Sequence, residues 1–322
     1  MKNNNTKGFT LIELLLGMVI FSILSVLILQ TSLDSVNFIK KSQLELDLRQ
    51  NLLSSLQIMA EDLELVGQGL PDNFPAITLV NGTGTAPDTL TLRYNKFPFS
   101  IPLCSPVGNP GFNTRIIYTR GGGVAMDNGG TEPTASLLCS NSTYDARYSR
   151  LMNQFQTEIQ FAASSYTTNS VARLYIYDNI ANLGEYFRMT TNSCTGSVGF
   201  PTRRCTINTS AALSRNYAID RSAVYNLISF QYGVDTTNNF FNMTDIRDSN
   251  KVYNLSYDIS DFQVKLYTKA DPTVAIESFD GTASWTTLDR IEVTIKGQTK
   301  NGSTTVIDSA TTTYSIRPKS DV

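Results

Sequence analysis

Residues 9–29 form a nearly unbroken apolar run from Phe9 to Leu29 that carries one charge, the carboxylate of Glu13. A helix rises about 1.5 Å per residue, so roughly 20 apolar residues cross the hydrocarbon core of a bilayer. The run therefore predicts a membrane helix. From Leu44 the pattern changes, and Leu44, Leu48, Leu52, Leu56, Met59, Leu63 and Val66 recur at three- and four-residue spacing. Glu45, Asp47, Arg49, Gln50, Glu61, Asp62 and Glu64 fall between them. This is the signature of an amphipathic continuation of the same helix. Gly67-Gln68-Gly69-Leu70-Pro71 ends it, because glycine takes the left-handed cap and proline cannot continue the helix. The whole helix is expected to run about 85 Å. The apolar stripe spans only about three heptads and precedes a large β-rich region, which favours packing against that region over a dimeric coiled coil.

After Pro71 the chain turns to short β-favouring runs separated by Gly, Pro, Asn and Ser clusters, the texture of antiparallel sheet with long loops. Strands are expected near Thr89–Tyr94, Arg115–Thr119, Glu158–Ala163, Val171–Tyr177, Glu185–Met189, Ala223–Gly233, Asp261–Thr268, Leu288–Gly297 and Ser303–Ile316. Strict alternation in Phe262–Tyr267 and Ile291–Lys296 predicts one face on the helix and the other in water. The expected fold class is α+β. Its parts are residues 1–8, a short leader; 9–29, a transmembrane segment; 30–66, the amphipathic continuation; and 67–322, a β-rich head. Residues 97–112 and 121–133 read as long surface loops.

Lys2 and Lys7 precede the apolar run with no acidic residue among them, which by the positive-inside tendency leaves the leader in the cytoplasm and sends the head outward. The residues after the run, Gln30-Thr31-Ser32-Leu33-Asp34, make a poor small-x-small cleavage site. A charge at mid-bilayer costs about 2.5–3.5 kcal/mol on insertion scales, so Glu13 asks for a reason. As a plain signal anchor it would snorkel, lying only about 6 Å beyond the leader boundary. The juxtaposition Lys7-Gly8-Phe9-Thr10-Leu11-Ile12-Glu13 instead resembles the class III signal of type IV prepilins and their secretion-system relatives. The resemblance implies a prepilin peptidase that cuts after Gly8 and methylates the new amino group of Phe9. Glu13 becomes the fifth residue and is expected to meet the Phe9 ammonium of a neighbouring subunit during assembly, turning a costly charge into a paired one.

Composition narrows what the head can do. In 322 residues the net charge is −2 and 41% of the chain is apolar, enough for a sizeable core and without the basic bias that nucleic-acid binding favours. There is no histidine, which removes Ser-His-Asp and Cys-His catalysis and the usual zinc hydrolase sites. The Glu61, Asp62 and Glu64 cluster is most simply a solvated helix face. Gly121-Gly122-Gly123 lacks the lysine of a nucleotide loop and reads as a turn. Asp235-Thr236-Thr237-Asn238-Asn239, with Asp245 and Asp248 downstream, has oxygen ligands suited to calcium but no EF-hand glycine or terminal glutamate, and reads as a strand-ending turn. No catalytic residue, metal or cofactor is assigned. The four cysteines, Cys104, Cys139, Cys194 and Cys205, lie in the exported region, where disulfides are favoured. Three pairings are open, nearest-neighbour closure giving Cys104–Cys139 and Cys194–Cys205.

Three head segments, Met59–Gly67, Ile228–Asp235 and Trp285–Val293, are similar to segments of PilW-like minor pilins. That resemblance implies a minor pilin with other minor and major pilins as partners, held in the inner membrane before assembly and then at the cell surface. It places the protein in the initiation or tip complex of a type IV pilus. A GspJ-like pseudopilin of type II secretion and a tip adhesin or DNA-uptake pilin are the alternatives; the external ligand is left open.

Overall fold

The computed structural model describes residues 11–84, 86–96, 100–103, 115–120, 173–195, 203–209, 213–218, 221–247, 250–302 and 304–316. Gly8, Phe9, Cys104, Cys139, the expected strand at 158–163, the loop at 121–133 and most of that at 97–112 lie outside the described residues.

One helix, α1, runs without a break over Leu11–Leu65, 55 residues and about 82 Å. It is followed by β1 (Ile77–Val80), β2 (Thr89–Asn95), β3 (Ile101–Pro102), β4 (Arg115–Arg120), β5 (Arg173–Asp178), β6 (Leu183–Thr195) and β7 (Arg203–Thr209). Then come β8 (Ser222–Tyr225), β9 (Leu227–Asp235), β10 (Phe240–Asp245), β11 (Lys251–Ser256), β12 (Ile259–Thr268), β13 (Ala275–Ile276), β14 (Leu288–Asn301) and β15 (Thr304–Ser315). The α+β architecture expected from the sequence is the one observed, with the sheet divided into three. The orders are β1-β2-β9-β10-β11, β13-β12-β14-β15 and β3-β8-β5-β6-β7-β4, and every described pairing is antiparallel.

The division has a local cause at Asn226. The apolar run Ala223–Gly233 reads as one strand, but it is split into β8 and β9, which belong to different sheets. Between them the Asn226 backbone N–H donates to the Asn95 side chain at 3.0 Å, and its carbonyl accepts from the Lys96 N–H at 2.9 Å. The Asn95 side chain and the Lys96 N–H, at the end of β2, thus supply the partners of this residue's backbone groups. Asp88 joins two sheets in a similar way. Its buried carboxylate accepts from the Gly82 N–H at 2.9 Å and from the Val264 N–H of β12 at 2.7 Å, just before the chain enters β2.

The core lies between the second half of α1 and the first two sheets. Leu48, Leu52, Leu56, Met59 and Leu63 are buried against Phe241, Phe262, Ile291, Val293 and Ile295. The expected alternation is observed: Phe262, Val264 and Leu266 of β12 are buried while Lys265 is exposed, and Ile291, Val293 and Ile295 of β14 are buried. The head covers the amphipathic stripe as the spacing predicts.

Candidate functional site

Two regions of the molecule carry the chemistry that its sequence points to, the amino-terminal part of α1 and the seam where the end of α1 enters the head. In the first, every residue of Leu11–Leu29 is exposed, including Phe21 at 73% and Ile12 at 75%. Glu13 lies in the first described turn of the helix. The helix is long and apolar enough to cross a membrane, with its most apolar stretch wholly unburied. Serine hydroxyls along it turn back to the helix carbonyls, Ser22 to Val19 and Ser25 to Phe21 at 2.8 Å, so each exposed hydroxyl has its donor satisfied within the helix.

At the other end, α1 is locked into the head. Gly67 takes the left-handed conformation at φ +74°, and its N–H donates to the Arg93 carbonyl of β2 at 2.9 Å. A side chain at this position would collide with the ring of Trp285, whose atoms lie 2.3 Å from where a Cβ would stand. Trp285 is itself fixed by its indole N–H donating to the Pro71 carbonyl at 3.3 Å. Further back, the Tyr314 hydroxyl of β15 donates to the Leu56 carbonyl of α1 at 3.0 Å, and Ser55 shares a buried hydrogen bond of 2.6 Å with Ser256 of β11. Gly297 of β14 lets the helix come close, since a Cβ there would lie 2.5 Å from Leu48 Cδ1.

The most unusual group at the seam is Asp62. It is not a solvated member of an acidic cluster, as the sequence suggests, but half-buried and turned toward β2 and β9. The Tyr94 hydroxyl donates to Asp62 Oδ1 at 3.1 Å and the Tyr232 hydroxyl makes a short hydrogen bond to Oδ2. Burial pushes the Asp62 carboxyl above the usual carboxylate range, with the two tyrosine hydroxyls opposing that shift. Burial and the adjacent Asp62 charge in turn push both tyrosines far above their ordinary value, so they act as neutral donors. The signal for this is in the sequence: Asp62 follows Met59 by three residues and precedes Val66 by four, which puts it at the border of the inward stripe. Glu61 and Glu64 are exposed, as expected of a solvated face.

The strand-ending turn at Asp235 is also as expected. Asp235 Oδ1 accepts from the Thr237 N–H at 2.9 Å, Asn239 has φ +56°, and the chain returns as β10. The Asn238 side chain, which donates to Asp235 Oδ2 at 2.7 Å, is the main cause holding this carboxyl below its usual range. Asp245 is instead paired with Arg247 at 2.7 Å, and Asp248 lies outside the described residues. Among the described residues no group of three or more acidic or cysteine ligands is placed to hold a metal ion. Cys194 and Cys205 stand directly opposite one another in the β6–β7 ladder.

Comparison with known proteins bears on the amino terminus. Residues 3–29 match the family model described as the prokaryotic N-terminal methylation motif. No curated protein and no solved structure matches the chain. The motif and the exposed apolar helix that follows it support a membrane-anchored, type IV pilin- or pseudopilin-like protein, a structural subunit that is a substrate of prepilin peptidase.

Proposed function

We propose that this protein is a minor pilin that takes part in assembly of a type IV pilus, in its initiation or tip complex. Prepilin peptidase cleaves it after Gly8 and methylates the amino group of Phe9. Glu13, four residues on, then pairs with the Phe9 ammonium of a neighbouring subunit and sets the register of helix packing. The observation that carries this reading is the methylation motif at 3–29 running directly into an exposed apolar helix whose far half is the spine of the head. The resemblance of Met59–Gly67, Ile228–Asp235 and Trp285–Val293 to PilW-like proteins supports the minor pilin role within that class. Before assembly the helix holds the protein in the inner membrane with the head outside the cytoplasm; afterwards the protein stands at the cell surface among other minor and major pilins.

Deleting the gene is expected to reduce surface pili while leaving processing of other prepilins intact. Unchanged piliation would contradict the role, and loss of protein secretion with normal piliation would assign the protein to a secretion pseudopilus. Substituting Glu13→Ala is expected to leave insertion and cleavage normal and to cut incorporation into filaments. Normal incorporation of the variant would remove the pairing of Glu13 with Phe9.

A further inference from the structure

The strand β6 is shared between two partners. Its first half, Leu183–Arg188, pairs with β5, and after an irregularity between Met189 and Thr191 its second half pairs with β7. The strand β7 pairs in turn with β4, which ends the sheet on that side. In the β6–β7 ladder the register is Asn192 with Ile207, Ser193 with Thr206, Cys194 with Cys205 and Thr195 with Arg204. The two cysteines are therefore direct cross-strand partners, one pair in from Thr195 and Arg204 at the end of the ladder.

Directly opposite residues in an antiparallel pair have Cα atoms about 4.5 or 5.5 Å apart, according to which of the two alternating positions they occupy. Both values fall within the roughly 4.4–6.8 Å that a disulfide spans. Opposite residues also project from the same face of the sheet, since side chains alternate between faces with a period of two. A shift of one residue in register would destroy both conditions, so the pairing is specific to the ladder observed.

From this register we infer that Cys194 and Cys205 form a disulfide that clips the end of the β6–β7 ribbon. Two thiols lose two protons and two electrons as the S–S bond forms. The oxidant is a protein disulfide of the exporting compartment, which accepts them and leaves as a dithiol by exchange through a mixed disulfide. The inference rests on the export that the pilin reading supplies, because a reducing cytoplasm would keep the thiols free.

The sequence makes the test direct. Cleavage after lysine and arginine places the four cysteines in four separate peptides, residues 97–115, 121–147, 189–203 and 205–215. The full-length protein from native membranes is alkylated while unfolded and unreduced, digested and mapped by mass spectrometry. The expected result is peptide 189–203 linked to 205–215, dissociating on reduction. Linkage of 189–203 or 205–215 to either of the other two peptides would overturn the inference, as would recovery of both in alkylated form. The amino-terminal peptide in the same digest separates the two readings. A processed terminus with alkylated cysteines sinks the disulfide alone, whereas an uncleaved leader with alkylated cysteines sinks the disulfide together with the pilin reading on which it rests.

Discussion

Asp62 joins three elements through two tyrosine hydroxyls, and its titration is the residue-level property most open to measurement. Its carboxyl is raised in the folded state, chiefly by burial, so the folded protein holds that proton more tightly than the unfolded chain does. The contribution of this group is thus fully favourable below the ordinary carboxylate value and is lost as pH rises through the folded value. Once ionised, the group is a cost that the tyrosine donors offset in part. Asp62→Asn keeps an acceptor for a hydroxyl without the charge. Its stability relative to the parent, read from denaturant melts, is expected to rise between pH 4 and pH 7, and a flat difference would contradict the assignment. Asp62→Ala takes away the carboxylate that accepts from both hydroxyls, leaving Tyr232 only the Met243 sulfur, and is expected to cost about 1–3 kcal/mol. At Gly67, alanine must adopt a left-handed backbone and displace the indole above it. The backbone alone costs roughly 1–2 kcal/mol. Trp285 is the only tryptophan in the chain, so its fluorescence reports this change at the seam without interference.

At the scale of elements, the helix and the strands with strong alternation are legible in the sequence, because each is fixed by its own periodicity. The stripe Leu48, Leu52, Leu56, Met59 and Leu63 marks the buried face of α1, and Phe262–Tyr267 and Ile291–Lys296 mark β12 and β14. What escapes is what depends on partners distant in sequence. β10, β11 and β7 are absent from the expected strands because their residues are polar or weakly alternating, as in Lys251–Ser256, and only pairing with neighbours makes them strands. The break at Asn226 is invisible for the same reason, since its cause is Asn95, far back in the chain. Asp62 is misread because composition marks an acidic cluster while its tyrosine partners lie 32 and 170 residues away. The close approach of β14 to α1 also has a test. Gly297→Ala brings a methyl group to 2.5 Å from Leu48 and 2.9 Å from the Asp258 carbonyl. Such overpacking is expected to cost about 1–3 kcal/mol and to speed proteolysis within the amphipathic half of the helix. Tyr314→Phe removes only the hydroxyl bonded to Leu56 and is expected to cost about 1 kcal/mol.

For the whole molecule, one continuous helix links two environments. Its first half exposes apolar surface on every side, and its second half is built into a three-sheet head by Trp285, Tyr314, Asp62 and the close pass of Gly297. The exposed apolar half is therefore joined to the head by packed contacts rather than by a linker. The amino-terminal motif is the part of this arrangement most readable from sequence, because its signal is a short string rather than a tertiary contact. Processing at this motif is directly testable by mass spectrometry of the amino-terminal peptide from native membranes and from sheared surface filaments. A peptide beginning at N-methylated Phe9 is expected in both fractions. Retention of residues 1–8, with no form of the protein in the filaments, would contradict it.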